Sequence, residues 1–185
     1  MDNEDLTPLS PGEPGDPTPA DRGLADRQAL LARLLVAEEA PSPLEAEAFG
    51  ASGLERTRAI LLHKRVDDAL PLLPRSAARQ HELRHVALSC VARLPRAPRR
   101  AGVADALAIA EAACAHAALA PAARIDSMLL RTRFIPRPPG VSPTPRAAPF
   151  VGRTARPEGG SVWALKGPGA EASVRIWETR KGGIS

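Results

Sequence analysis

Leu30, Leu31, Leu34 and Leu35 recur at i, i+1, i+4 and i+5, the stripe that one helix face presents to a core. A helix is expected from Asp21 or Asp26 to about Glu39, stopped by Ala-Pro-Ser-Pro at 40–43. A short turn of helix, Leu44 to Phe49, follows. A third helix is expected from about Leu54 to Leu70, with Leu54, Leu61, Leu62, Val66 and Leu70 inward and Arg56, Arg58, Lys64 and Arg65 outward. Pro71 and Pro74 break it. A fourth spans roughly Ala77 to Leu94, with Leu83, Val86, Ala87, Cys90 and Val91 inward. After a basic loop, Pro95 to Arg100, an Ala-rich fifth helix runs from Val103 to Leu119, and a sixth begins after Pro121 with Ile125, Met128 and Leu129 as its apolar face.

From Phe134 the period changes. Residues 135–149 hold many prolines and read as a linker. Three alternating runs follow, Phe150–Thr154, Ser161–Lys166 and Ser173–Thr179, separated by Glu158-Gly159-Gly160 and Gly167-Pro168-Gly169. Val162 and Ala164 point to one side, Trp163 and Leu165 to the other; Val174 and Ile176 oppose Arg175 and Trp177. The expected class is mainly α (α+β): a helical bundle of about five to six helices, then a small three-stranded antiparallel β meander. The divisions are an acidic Pro/Gly-rich tail over 1–21, a helical domain over 22–134, the linker, the meander over 150–180, and a short tail over 181–185. A meander this small is insecure alone and should pack on the helices or on a partner.

With 185 residues and 44% hydrophobic positions, the chain supports one modest domain. Aromatics are only 3%, so the core is built from Leu, Ala, Val and Ile. No apolar run approaches the length of a membrane span, and no secretory signal is visible, so a cytoplasmic protein is expected. Residues 1–21 carry six acidic side chains and no Lys or Arg, a composition that reads as disordered. The remainder holds 25 basic and 15 acidic side chains, a balance of +10. A basic body suits nucleic acid or an acidic partner surface. Cys90 and Cys114 make no disulfide framework and read as reduced thiols.

His81-Glu82-Leu83-Arg84-His85 is an HExxH string, which on a helix sets two imidazoles one turn apart over a general base. Arg84 stands where zinc peptidases carry an uncharged residue, no G-x-x-H follows, and Glu111 is the one candidate for a third ligand. A polar helix face is the simpler reading. His63, His116 and the Asp67-Asp68 pair fit solvated faces, and no nucleophile triad, P-loop or G-x-G-x-x-G is present. Arg96, Arg99 and Arg100 in the basic loop suit phosphate or an acidic patch. An edge strand of the meander can take up an extended peptide, with Trp163, Trp177, Arg153, Arg156 and Arg175 lining side-chain pockets. The alternative is that both indoles simply glue the meander to the helices, and this is expected of at least one of them.

The run from Gln28 to Ala37, the gap ending near Phe49, Ile60 to Val66 and Leu70 to Leu73 resemble, in order, the helical partner proteins encoded beside multinuclear non-haem iron oxidases. Phe150-Val151-Gly152-Arg153, Gly159 to Leu165 and Val174-Arg175-Ile176 resemble their C-terminal strands. The resemblance spans roughly 24–180 and departs at His81 to His85, where that family has an aromatic-rich pattern. It implies a non-catalytic adaptor subunit that binds the iron oxidase and presents a ribosomally made precursor peptide. The chain would then have no cofactor of its own, the iron residing in the partner enzyme. A DNA-binding regulator is the alternative, and a zinc hydrolase working through His81, Glu82 and His85 a third.

Overall fold

A computed structural model describes residues 23, 26–31, 50–156 and 158–180. The acidic segment 1–21, most of the first expected helix, the expected turn over Leu44–Phe49 and the tail 181–185 lie outside the described residues. Residues 26–31 are helical, with Leu30 and Leu31 half-buried.

The helical body comprises α1 (Ala51–Ala69), α2 (Gln80–Val91), α3 (Ala101–Cys114) and α4 (Ala120–Arg133). Between α1 and α2 the chain makes two short 3₁₀ turns, Leu70–Leu72 and Ser76–Arg79, where Pro71 and Pro74 deny it a continuous helix. Pro121 sits in the first turn of α4, where its missing N–H costs nothing, and Arg131 and Arg133 occupy the last turn. The Ala-rich α3 touches α1, α2 and α4. Its Ala106, Ala110 and Ala113 are fully buried, and their small side chains let neighbouring helices approach closely. Val66, Leu73, Leu83, Val91, Ile109 and Leu119 complete this core. No helix among the described residues is long and apolar enough to cross a membrane.

One outward expectation fails. Arg65, read as a solvent-facing residue, turns inward: its guanidinium is bidentate to the buried Asp105, at 2.8 and 3.1 Å. It also donates to the carbonyls of Leu94 and Val91 beyond and at the end of α2, at 3.0 and 3.4 Å.

The stretch read as a linker is a folded connection. β1 (Phe134–Ile135) pairs antiparallel with β2 (Thr144–Pro145), and Pro143, just before β2, is fully buried. The Arg99 N–H donates to Ser142 Oγ at 2.9 Å, tying this connection to the basic loop.

The meander forms as expected: β3 (Phe150–Ala155), β4 (Ser161–Lys166) and β5 (Val174–Thr179) lie in the order β3-β4-β5, all antiparallel. It packs on α4 through Ile125 and Met128, which form a second buried cluster with Val162 and Ala164, flanked by Leu129 and Val174. Gly152 lets β3 reach the helix; a Cβ there would stand 2.8 Å from Met128 Cγ. Gly160 closes the β3–β4 turn at φ +89, and a side chain there would collide with the Thr179 carbonyl.

Candidate functional site

The register sorts the meander into two faces. Gly152, Ala164 and Ile176 lie side by side on the face toward α4, as do Thr154, Val162 and Glu178. The opposite face carries three rows: Val151–Leu165–Arg175, Arg153–Trp163–Trp177 and Ala155–Ser161–Thr179. Period-two alternation sets the side within each strand, and the register lines the rows up across the three strands. None of the nine is acidic, so the face is positive or neutral throughout.

Both indoles therefore point away from the helices, and neither glues the sheet to the body. Trp163 and Trp177 are parallel, with centroids 6.2 Å apart and planes 1° from parallel. The Arg153 guanidinium lies 5.0 Å from the Trp163 centroid, and its Nε donates to Ser161 Oγ at 3.0 Å. A cation over an indole face is attracted by the ring quadrupole. Val151, Leu165 and Trp177 are exposed, Trp177 by 43%. Together they make an apolar and aromatic patch bordered by two arginines.

β5 is hydrogen-bonded to β4 on one side only among the described residues. Five of its six residues are exposed, including Ile176 at 45% on the face toward α4. In an antiparallel pair, alternate residues of an edge strand turn their N–H and C=O outward. The open edge thus runs beside Arg175 and Trp177 on one face and Ile176 on the other.

Of the residues singled out in the sequence, Arg153, Trp163, Arg175 and Trp177 come together on this face. Arg156 does not join them. Its guanidinium is held by Glu178, at 2.7 Å, and by Glu158, across the β3–β4 turn. Glu178 also takes Arg75 at 2.7 Å, linking β5 to the 3₁₀ turns. Arg96, Arg99 and Arg100 are exposed on the loop before α3, which contacts the 140–142 turn. Arg100 adopts a left-handed φ of 53 there, and its carbonyl accepts the N–H groups of Val103 and Ala104.

His81 and His85 are exposed on α2, and Glu82 is ion-paired with Arg79 at 3.3 Å. Glu111 pairs instead with Arg131, at 3.5 Å. Among the described residues no group of three or more His, Cys, Asp or Glu side chains is placed to hold a metal ion. Cys90 and Cys114 are free, and burial pushes both thiols above their ordinary range.

Among the buried polar residues that escaped the sequence reading, two bear on this edge. Asp126 on α4 accepts the N–H groups of Arg75 and Ser76 and the Ser76 hydroxyl, at 3.1, 2.8 and 2.7 Å. It thereby fixes the entry to the second 3₁₀ turn and places Arg75 against Glu178. Burial raises its carboxyl above the usual range even though these hydrogen bonds pull the other way. Lys166, fully buried at the end of β4, donates to the carbonyls of Gly167 and Gly169 and so holds the turn that launches β5. Both residues serve the placement of the open edge. A charge in an otherwise ordinary stretch gives no sequence signal for such a role, because its partners lie on other segments.

No protein-family model, curated protein or solved structure matches this chain.

Proposed function

We propose that the chain is a non-catalytic adaptor. It captures an extended segment of a ribosomally made precursor peptide on the edge of β5 and holds it for a multinuclear non-haem iron oxidase that carries the iron. The observation that carries this reading is the open β5 edge, exposed at five of six positions and flanked by Arg175, Trp177 and Ile176. Strand addition suits an adaptor, because main-chain hydrogen bonds give affinity for any extended segment and alternate side-chain pockets give selectivity. The resemblance of the segment order to that of the helical partner proteins of iron oxidases supports this choice of enzyme. The basic body supports an acidic surface as its docking partner.

The test is co-expression with a neighbouring iron oxidase and its precursor peptide, followed by size-exclusion chromatography and hydrogen exchange. The expected result is a co-eluting complex in which the amides of Val174–Thr179 become protected. Separate elution of chain and oxidase, or modification of the peptide by the isolated chain, refutes it.

A second reading is favoured by the carboxylate-free face bearing two indoles and two arginines, since stacked aromatics beside cations also suit single-stranded nucleic acid. Binding of labelled oligothymidylate that collapses as salt rises supports it; absence of binding at low salt removes it.

A further inference from the structure

The registers of β4 and β5 allow a prediction of which side chains the captured segment carries. We infer that the segment is read as three consecutive residues: an acidic one opposite Arg175, an aliphatic one opposite Ile176 and an aromatic one opposite Trp177. This rests on the capture reading above.

A fourth strand on β5 extends each row of the sheet by one residue. Directly opposed side chains then stand close enough to interact, and consecutive residues fall on opposite faces. The row Val151–Leu165–Arg175 ends at the edge in a guanidinium, and no carboxylate pairs with it among the described residues. The next residue on that face, Trp177, ends the row Arg153–Trp163–Trp177, where a third ring would extend the pair of parallel indoles. Between them, on the other face, Ile176 is half uncovered beside the half-buried Val174. An aliphatic side chain there removes apolar surface from water. The neighbouring Glu178 selects no basic residue, because Arg75 and Arg156 already occupy both of its oxygens. The pattern is therefore acidic–aliphatic–aromatic, read forwards or backwards according to whether the added strand runs parallel or antiparallel.

The probes are fluorescein-labelled Thr/Ser host peptides carrying Asp-Val-Phe or Phe-Val-Asp, titrated into the full chain by anisotropy, with exchange protection of β5 read in parallel. Replacing the peptide Asp by Lys is expected to weaken binding about tenfold, because attraction becomes repulsion. The Arg175→Glu variant is expected to prefer the Lys peptide. Replacing the peptide Phe by Ser costs about three- to tenfold, and Trp177→Ala removes that difference. Both positions are exposed, so matching urea midpoints verify that the variants fold. Protection of β5 with an unchanged charge preference in Arg175→Glu overturns the side-chain pattern while capture stands. No protection of β5 by these peptides or by the precursor overturns capture and the pattern together.

Discussion

Replacing Arg65 by Met deletes a guanidinium that joins α1, the end of α2 and α3, while keeping the aliphatic stem. Asp105 is 3% exposed, and Arg65 supplies both of its ion-pair hydrogen bonds, at 2.8 and 3.1 Å. The variant leaves a buried carboxylate without its cation and takes a donor from the Leu94 and Val91 carbonyls. Breaking a buried pair from one side costs about 3–5 kcal/mol, since the remaining charge stays desolvated and uncompensated. A domain of this size holds roughly 5–15 kcal/mol in total, so a large share of its stability is at stake. At about 2–4 °C per kcal/mol, the melting temperature falls by roughly 6–20 °C. Urea unfolding followed at 222 nm is the assay, read through the midpoint at constant slope. The double variant Arg65→Met with Asp105→Leu removes both charges and is expected to recover at least about 2 kcal/mol. A loss below about 1 kcal/mol in Arg65→Met, or a double variant as unstable as the sum of the singles, refutes the assignment of this pair as a buried, coupled tie.

Asp126 tests the 3₁₀ entry. Asp126→Ala strands the Arg75 and Ser76 donors and should cost about 2–4 kcal/mol in urea unfolding. Burial raises its carboxyl, so its contribution to stability is largest below the ordinary Asp range and declines as pH rises through the raised value. Asp126→Asn should lack that decline, seen by comparing urea midpoints of the two proteins from the ordinary Asp range upward in pH. Gly152→Ala places a methyl against Met128 and Phe150 and should cost about 1–3 kcal/mol, measured the same way. Trp177→Ala should leave the midpoint within about 1 kcal/mol, because the ring is exposed on the outer face. The same change should abolish the near-ultraviolet circular dichroism that arises from coupling to Trp163.

Period and punctuation were enough to read most of the architecture. Leu83, Ala87 and Val91 recur at helical spacing and are buried as that spacing requires. Val162, Ala164 and Lys166 alternate with Trp163 and Leu165, which set the faces of β4 before any neighbour was known. The same alternation put Arg175 and Trp177 on one side of β5, and the register then brought them within reach of Trp163 and Arg153. Alternation could not say which face meets α4, because both faces carry large apolar side chains. Nor could it tell that Arg156, just after β3, is occupied while Arg175, within β5, is open: the approach of Glu158 and Glu178 to Arg156 decides that.

What local order along the chain determined by itself is the list of elements, their order and the two sides of each strand, since these follow from backbone geometry and the spacing of apolar residues. Tertiary structure alone decided the fate of the charges. Arg65 meets Asp105 across 40 positions, and Ser76 meets Asp126 across 50. A charged residue's surroundings are set by segments remote in sequence, and burial with a partner or exposure without one separates a structural tie from a surface left open for binding.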